Sequence, residues 1–422
     1  MLWLIVILTL LDSVIGAFLY QQGLSRQAAI AIVYVKYVIF AFAFLNYIIW
    51  LSRRPLLYGF EIAGVSYMLL TLALSLAIGQ AYPDSEAVSR LYIYYFPIVI
   101  YFAGSYFGTR DTLSLKMVVS AYALCYLVVN GLFGVQYYVI GGEILWKDVL
   151  GYANFVAEVK GFSDGVINGL PGNFYYDPYN LQVPRFVGSM GDPLAVAYSG
   201  MPLLIALLWV RPRRWKVFAP LIATMVVLTL TRGVILGCIV GLALFFTLRR
   251  YAFGMTLMVG ATVIIAVLVF GEAIFETLGD SSTAGHIDSI SELGLFLTPG
   301  ALAVGALGSG DVPFFEPGLF NILFSFGIIP FVLFLWFLGG IYRSTLWQVK
   351  DSGFLSVSLL IGLVTLTIMS SSFLAVTSSW FAWFCFGFNV SRHKLLFGGN
   401  ALSLAKTDAI VSNPRTSFVK PE

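Results

Sequence analysis

An all-α, polytopic integral membrane protein with about twelve transmembrane helices is the fold class that this sequence predicts. Three observations predict it. Apolar residues fall in blocks of roughly 17–25, the length that crosses ~30 Å of hydrocarbon at 1.5 Å per residue. Hydrophobic residues make up 59% of the 422 positions and charged ones only 11%, too little polar surface to cover a soluble globule of this size. The basic residues between the blocks sort onto one side. A transmembrane β-barrel would instead show ~10-residue segments alternating apolar and polar side chains, a pattern missing here.

In chain order, the apolar blocks predict helices over 2–20, 28–51, 57–79, 91–109, 116–140, 192–210, 217–231, 233–248, 251–270, 318–340, 353–372 and 376–390. The first block has no basic region ahead of it and reads as an uncleaved helix. With both termini cytoplasmic, strict alternation puts Arg53, Arg54, Arg110, Lys116, Arg211, Arg213, Arg214, Lys216, Arg249, Arg250, Arg343, Lys350, Arg392 and Lys394 inside, the positive-inside pattern. The inverted topology fails that test. Two connections, 141–191 and 271–317, are far longer than the others and fall on the external side. One membrane domain over 1–394, followed by a disordered polar tail over 395–422, accounts for the chain. The net charge of +3 matters less than its distribution, and no nucleic-acid partner follows from it. Cys125, Cys238 and Cys385 lie within apolar blocks and read as packing residues.

Ionisable groups inside helices cost roughly 2.5–3.5 kcal/mol each on insertion scales, so each needs a partner or a task. Asp12 and Lys36 each lie about eight residues below the external end of their helix and can meet at one depth. An ion pair is one reading of Lys36, and a lipid-phosphate contact is the other. Glu61, one turn into its helix beside Arg53 and Arg54, reads as an interfacial salt bridge. Arg232 stands at the external boundary in Leu228-Thr229-Leu230-Thr231-Arg232-Gly233; a guanidinium there either snorkels or holds a phosphate with its planar fork. Gly233, Gly237 and Gly241, four apart, suit close helix packing.

Arg185 lies near the end of the first long loop, either solvated or on a phosphate, and Asp192 is placed to cap the helix beginning at Pro193. Upstream, the aromatic and amide run 173–179 suits sugar stacking or the headgroup layer equally. In the second loop, His286, flanked by Asp288 and Glu292, is a candidate general base for a hydroxyl, and Glu316 is the competing one. The alternatives are an ordinary loop histidine and a helix-start carboxylate favoured by the macrodipole. The glycine-rich run at 305–310 lacks the Gly-Lys-Ser/Thr ending of a phosphate loop. No Asp-x-Asp pair or histidine cluster suggests a metal.

Thr-Leu-Thr-Arg-Gly at 229–233, Ser-Thr-Ala-Gly-His at 282–286, the glycine-rich turn, and Glu-Pro-Gly-Leu-Phe-Asn-Ile-Leu-Phe-Ser-Phe-Gly at 316–327, in this order and topology, resemble the O-antigen polymerase and ligase superfamily, most closely exopolysaccharide polymerases. The Arg-x10-Gly pattern of some O-antigen polymerases is absent, since Val196 stands where that glycine would follow Arg185. The resemblance therefore favours the histidine-bearing branch or the ligases.

It implies a C-type glycosyltransferase fold in a bacterial inner membrane, acting at the periplasmic face on a polyprenyl-pyrophosphate-linked glycan. Arg185 and Arg232 would hold the pyrophosphate, with Lys36 as a third candidate cation, and His286 would be catalytic, with Glu316 as the alternative base. No cofactor or metal is expected. The expected partners are the lipid-linked oligosaccharide, membrane lipids and a chain-length regulator. A repeat-unit polymerase is the first expectation, an O-antigen ligase acting on lipid A core the second, and a lipid-linked oligosaccharide flippase the third.

Overall fold

The computed structural model describes residues 2–53, 57–83, 91–110, 113–160, 165–176, 182–231, 297–309, 318–348 and 379–392, with Val234, Ile239, Gly254, Met258, Thr262 and Lys394. Five helices open the chain: α1 Leu2–Gln21, α2 Arg26–Arg53, α3 Gly59–Ala81, α4 Tyr92–Gly108 and α5 Leu115–Val135. Their ends follow local chemistry. The Ser114 hydroxyl accepts from the Met117 amide at 3.2 Å to start α5, and the Glu61 carboxylate accepts from the Tyr58 amide at 2.8 Å to start α3. Four stretches among the described residues, Leu2–Gln21, Arg26–Ser52, Gly59–Ala81 and Leu115–Gly141, are long and apolar enough to cross a bilayer, as an all-α membrane protein requires. The helices expected over 233–248, 251–270 and 353–372 lie almost wholly outside the described residues.

Beyond α5 the chain does not run as an open loop. It widens into π-helical turns over Gln136–Gly141, Glu143–Val149 and Val156–Lys160, with α6 (Tyr152–Phe155) between the last two. Two short hairpins follow. Strand β1 (Val166–Ile167) pairs with β2 (Leu170–Pro171) around Asn168-Gly169, whose φ values of 54° and 80° suit a primed two-residue turn. Strand β3 (Tyr175–Tyr176) pairs with β4 (Val183–Pro184).

Asp192 then caps α7 (Pro193–Val210), its carboxylate accepting from the Leu194 amide at 2.9 Å, as expected from Asp-Pro. Helix α8 (Trp215–Leu228) returns to the same end. In the last third, the short helices α9 (Pro299–Val304) and α10 (Ala306–Ser309) precede α11 (Gly318–Phe326) and α12 (Ile328–Gln348), and α13 spans 379–392. The single helix expected over 318–340 is thus two, divided at Gly327 with φ +86°. The second of them also runs eight residues further than expected.

Packing is helix on helix: α2 against α1 and α4, α3 against α4 and α12, and α5 against α7. Aromatic rings fill the seams, with Tyr67 against Phe334 at 4.9 Å and Tyr101 against Phe337 at 5.0 Å. Helices α4 and α13 approach backbone to backbone, because Gly104 and Gly387 present no side chain there; a Cβ on Gly104 would lie 2.1 Å from the Phe384 carbonyl oxygen. Glu61 is buried and pairs with Lys394 while accepting from the Tyr101 hydroxyl at 3.0 Å. That pair ties α3 to the end of α13, while the Arg54 residue and the Arg53 side chain, the partners expected for Glu61, lie outside what is described.

Candidate functional site

The end of the bundle where α1 finishes and α2 begins also receives the end of α5, the start of α7 and the end of α8, with the segment 143–192 folded over it. Phe155 packs on Tyr20 of α1, with ring centres 6.2 Å apart, and Glu158 accepts from the Tyr20 hydroxyl. A second apolar cluster of Trp146, Leu150, Tyr152, Phe155, Leu170 and Phe174 gives this segment a core of its own. Phe174, from the aromatic run at 173–179, is therefore a packing residue, while 177–179 lies outside the described residues.

Arg185 emerges from this core onto the end of α8. Its Nε donates to the Thr229 carbonyl at 2.8 Å, its Nη2 to the Thr231 hydroxyl at 3.1 Å, and its Nη1 to the Asn173 carbonyl at 3.5 Å. The neighbouring backbone fixes it further, with the Arg185 amide donating to Phe174 and the Phe186 amide to Leu228, at 2.8 and 2.9 Å. Leu230, between the two threonines, has φ +55°, a strained value for a residue with a side chain. That twist separates Thr231 from the helix and leaves its hydroxyl for Arg185. Burial pulls the guanidinium below its ordinary value, while the negative charge of Asp192 pushes it up.

Below Arg185, the turn Gly188–Met190 is held by Asn130 of α5, whose Oδ1 accepts from the Ser189 amide at 2.9 Å. Asp192 follows, and burial raises its carboxyl above the usual carboxylate range against the pull of the Leu194 amide, Lys160 and Arg185. Tyr152 stands against the Gly191 backbone and donates to the Met190 carbonyl at 3.3 Å. On the other side of Tyr152, the Lys160 ammonium donates to the Tyr152 hydroxyl at 2.9 Å and to the Ser13 hydroxyl of α1 at 3.0 Å.

Asp12 and Lys36 form the buried ion pair that their equal depth predicts, each about 1% exposed. Asp12 also accepts from the Ser13 amide at 2.8 Å, which joins this pair to Lys160. Of the residues singled out from sequence, Arg185, Asp192, Lys36 and Asp12 thus share one end of the bundle. Arg232, His286 and Glu316 lie outside the described residues, although Thr231, which Arg185 contacts, directly precedes Arg232.

Sequence reasoning passed over Lys160, Ser13 and Tyr152. A lysine in a polar loop carries no periodic signal, and its seat on α1 lies 147 residues away. Compared with known proteins, the chain matches no family model and no curated sequence.

Proposed function

We propose that the protein is a metal-independent, inverting glycosyltransferase of about twelve membrane spans. It transfers a polyprenyl-pyrophosphate-linked glycan to a sugar hydroxyl of another lipid-linked repeat unit at the periplasmic face of a bacterial inner membrane. The observation that carries this reading is the seating of Arg185 on Thr229 and Thr231, which brings it beside the position preceding Arg232. Two permanently charged forks at one boundary suit a pyrophosphate. The sequence resemblance supports the same reading.

The chemistry asks little more. A lipid pyrophosphate is already a competent leaving group, so the site stabilises its growing charge and orients two large glycans. The acceptor hydroxyl forms the new bond to the anomeric carbon as the bond to pyrophosphate breaks. His286 accepts the hydroxyl proton, a service worth ~10²–10⁴-fold in rate, with Glu316 as the alternative base. Lys36, the third candidate cation, is paired with Asp12 in a deeper layer.

Purified protein incubated with lipid-linked repeat units alone is expected to give a ladder of longer lipid-linked chains, abolished in His286→Ala. Product only when lipid A core is supplied would make it a ligase. Movement of the lipid-linked glycan across vesicles without any new glycosidic bond would make it a flippase and overturn the enzyme reading.

A further inference from the structure

Two buried lysines in the described chain, Lys36 and Lys394, each meet a carboxylate. Lys160 does not. Its ammonium is held by two neutral hydroxyls, those of Ser13 and Tyr152, and lies 5.3 Å from the Tyr152 ring centre and 5.7 Å from that of Phe155. Those contacts orient a cation without cancelling its charge. Ser13 lies eight residues from the end of α1, so the ammonium, with the turn that carries it, sits ~12 Å down that helix.

Arg185 shows the same feature, since its contacts are two carbonyls and a hydroxyl. Among the described residues no carboxylate lies within ion-pair distance of either cation. Asp192 is the anion shared between their fields, but its oxygens are turned to the start of α7. Burial pulls the Lys160 ammonium down, while its hydrogen bond to Tyr152 and the charges of Asp12 and Asp192 push it up, to a net value above the ordinary one. Among the described residues the ammonium is held only by neutral hydroxyls, and its third N–H is open to an anion.

We infer that Lys160 is a further phosphate-binding cation of this site, placed across Tyr152 from the 185–192 segment to take the second phosphate of a lipid-linked pyrophosphate whose first phosphate Arg185 holds. This inference rests on the glycosyltransferase reading for the identity of the ligand. The segment 152–160, wedged beside α1, is the device that brings the cation below the membrane surface.

The test is equilibrium binding of a glycan-free polyprenyl pyrophosphate to the full-length protein in nanodiscs of zwitterionic lipid. Lys160→Met, of nearly the same length and uncharged, is expected to weaken that binding at least tenfold while changing polyprenyl monophosphate binding less than threefold. Lys160→Arg is expected to stay within threefold of the parent for both. Glu158→Gln breaks the Tyr20 contact of the same turn without touching the cation, and is expected to bind as the parent does.

Unchanged pyrophosphate binding in Lys160→Met overturns the inference, as does an equal loss for both lipids or an equal loss in Glu158→Gln. Inorganic pyrophosphate competing at the same concentration as the lipid would assign the seat to free diphosphate and overturn the lipid source. The two readings fail separately. Lys160-dependent binding without any glycan ladder refutes the polymerase and leaves the seat, whereas a ladder with unchanged binding in Lys160→Met refutes the seat and leaves the polymerase.

Discussion

The guanidinium of Arg185 divides its donors among three oxygens in different directions, and a lysine ammonium on a shorter stem cannot span them together. Arg185→Lys is expected to slow ladder growth at least ~10-fold despite the conserved charge, and Arg185→Ala further, measured as the initial rate of chain extension. Asp192 makes a different prediction. Its folded carboxyl sits above the unfolded value of ~3.9, so between the two values the folded state binds more protons. Stability from this group therefore falls as pH rises above about 3.9 and levels off once Asp192 has ionised in the fold. Asparagine keeps the cap and removes the titration. Asp192→Asn is expected to melt at or above the parent temperature at neutral pH, with a flatter pH dependence, whereas Asp192→Ala loses about 1 kcal/mol of capping. Thermal melts across pH check both. The cap was legible from Asp-Pro alone; the strain at Leu230 was not, because nothing in Thr-Leu-Thr marks a left-handed backbone.

Among the elements, the crossing of α4 and α13 depends on missing side chains. Gly104 and Gly108 stand four apart on α4, and Ser105 donates from its hydroxyl to the Gly387 carbonyl at 3.2 Å. Carbonyl groups cannot swing aside as a flexible side chain can. Gly104→Ala is expected to cost about 1–3 kcal/mol or more as the helices separate. Gly131→Ala is the control: its new methyl meets only the end of Met225 at 3.6 Å, so it is expected to be neutral or to gain up to about 1 kcal/mol of helix propensity. Melting midpoints of the two variants in one detergent decide the matter.

The small-residue spacing at 104–108 was readable in the sequence, as was the Asn168-Gly169 turn, yet both were hidden inside larger readings: a plain span and a plain loop. Helix positions came through better, because an apolar block of membrane length has few other folds available. The break at Gly327 escaped because apolar residues continue without pause on both sides of it. The π-helical turns after α5 likewise leave no mark in the hydrophobic pattern.

For the molecule as a whole, the sidedness implied by the basic residues makes a direct prediction. With Cys125, Cys238 and Cys385 replaced, Gln22→Cys between α1 and α2 is expected to react with an impermeant maleimide added outside intact cells. Arg213→Cys between α7 and α8 is expected to react only after permeabilisation. The reverse pattern would put the Arg185 site in the cytoplasm and remove the periplasmic mechanism. The site was half legible at this scale. Arg185 stood out because arginine in an aromatic, glycine-rich loop is unusual, but the contact of Tyr152 with both Lys160 and the 190–191 turn exists only once distant segments have met.

The two buried ion pairs among the described residues also differ in when they can form. Asp12 and Lys36 are 24 residues apart, so a hairpin of α1 and α2 alone suffices to bring their charges together. Glu61 and Lys394 are separated by 333 residues, so their pair can form only once nearly the whole chain has been synthesised. A chain that stops short of α13 lacks this partner for its third helix, and is expected to be cleared by membrane proteases faster than the full chain.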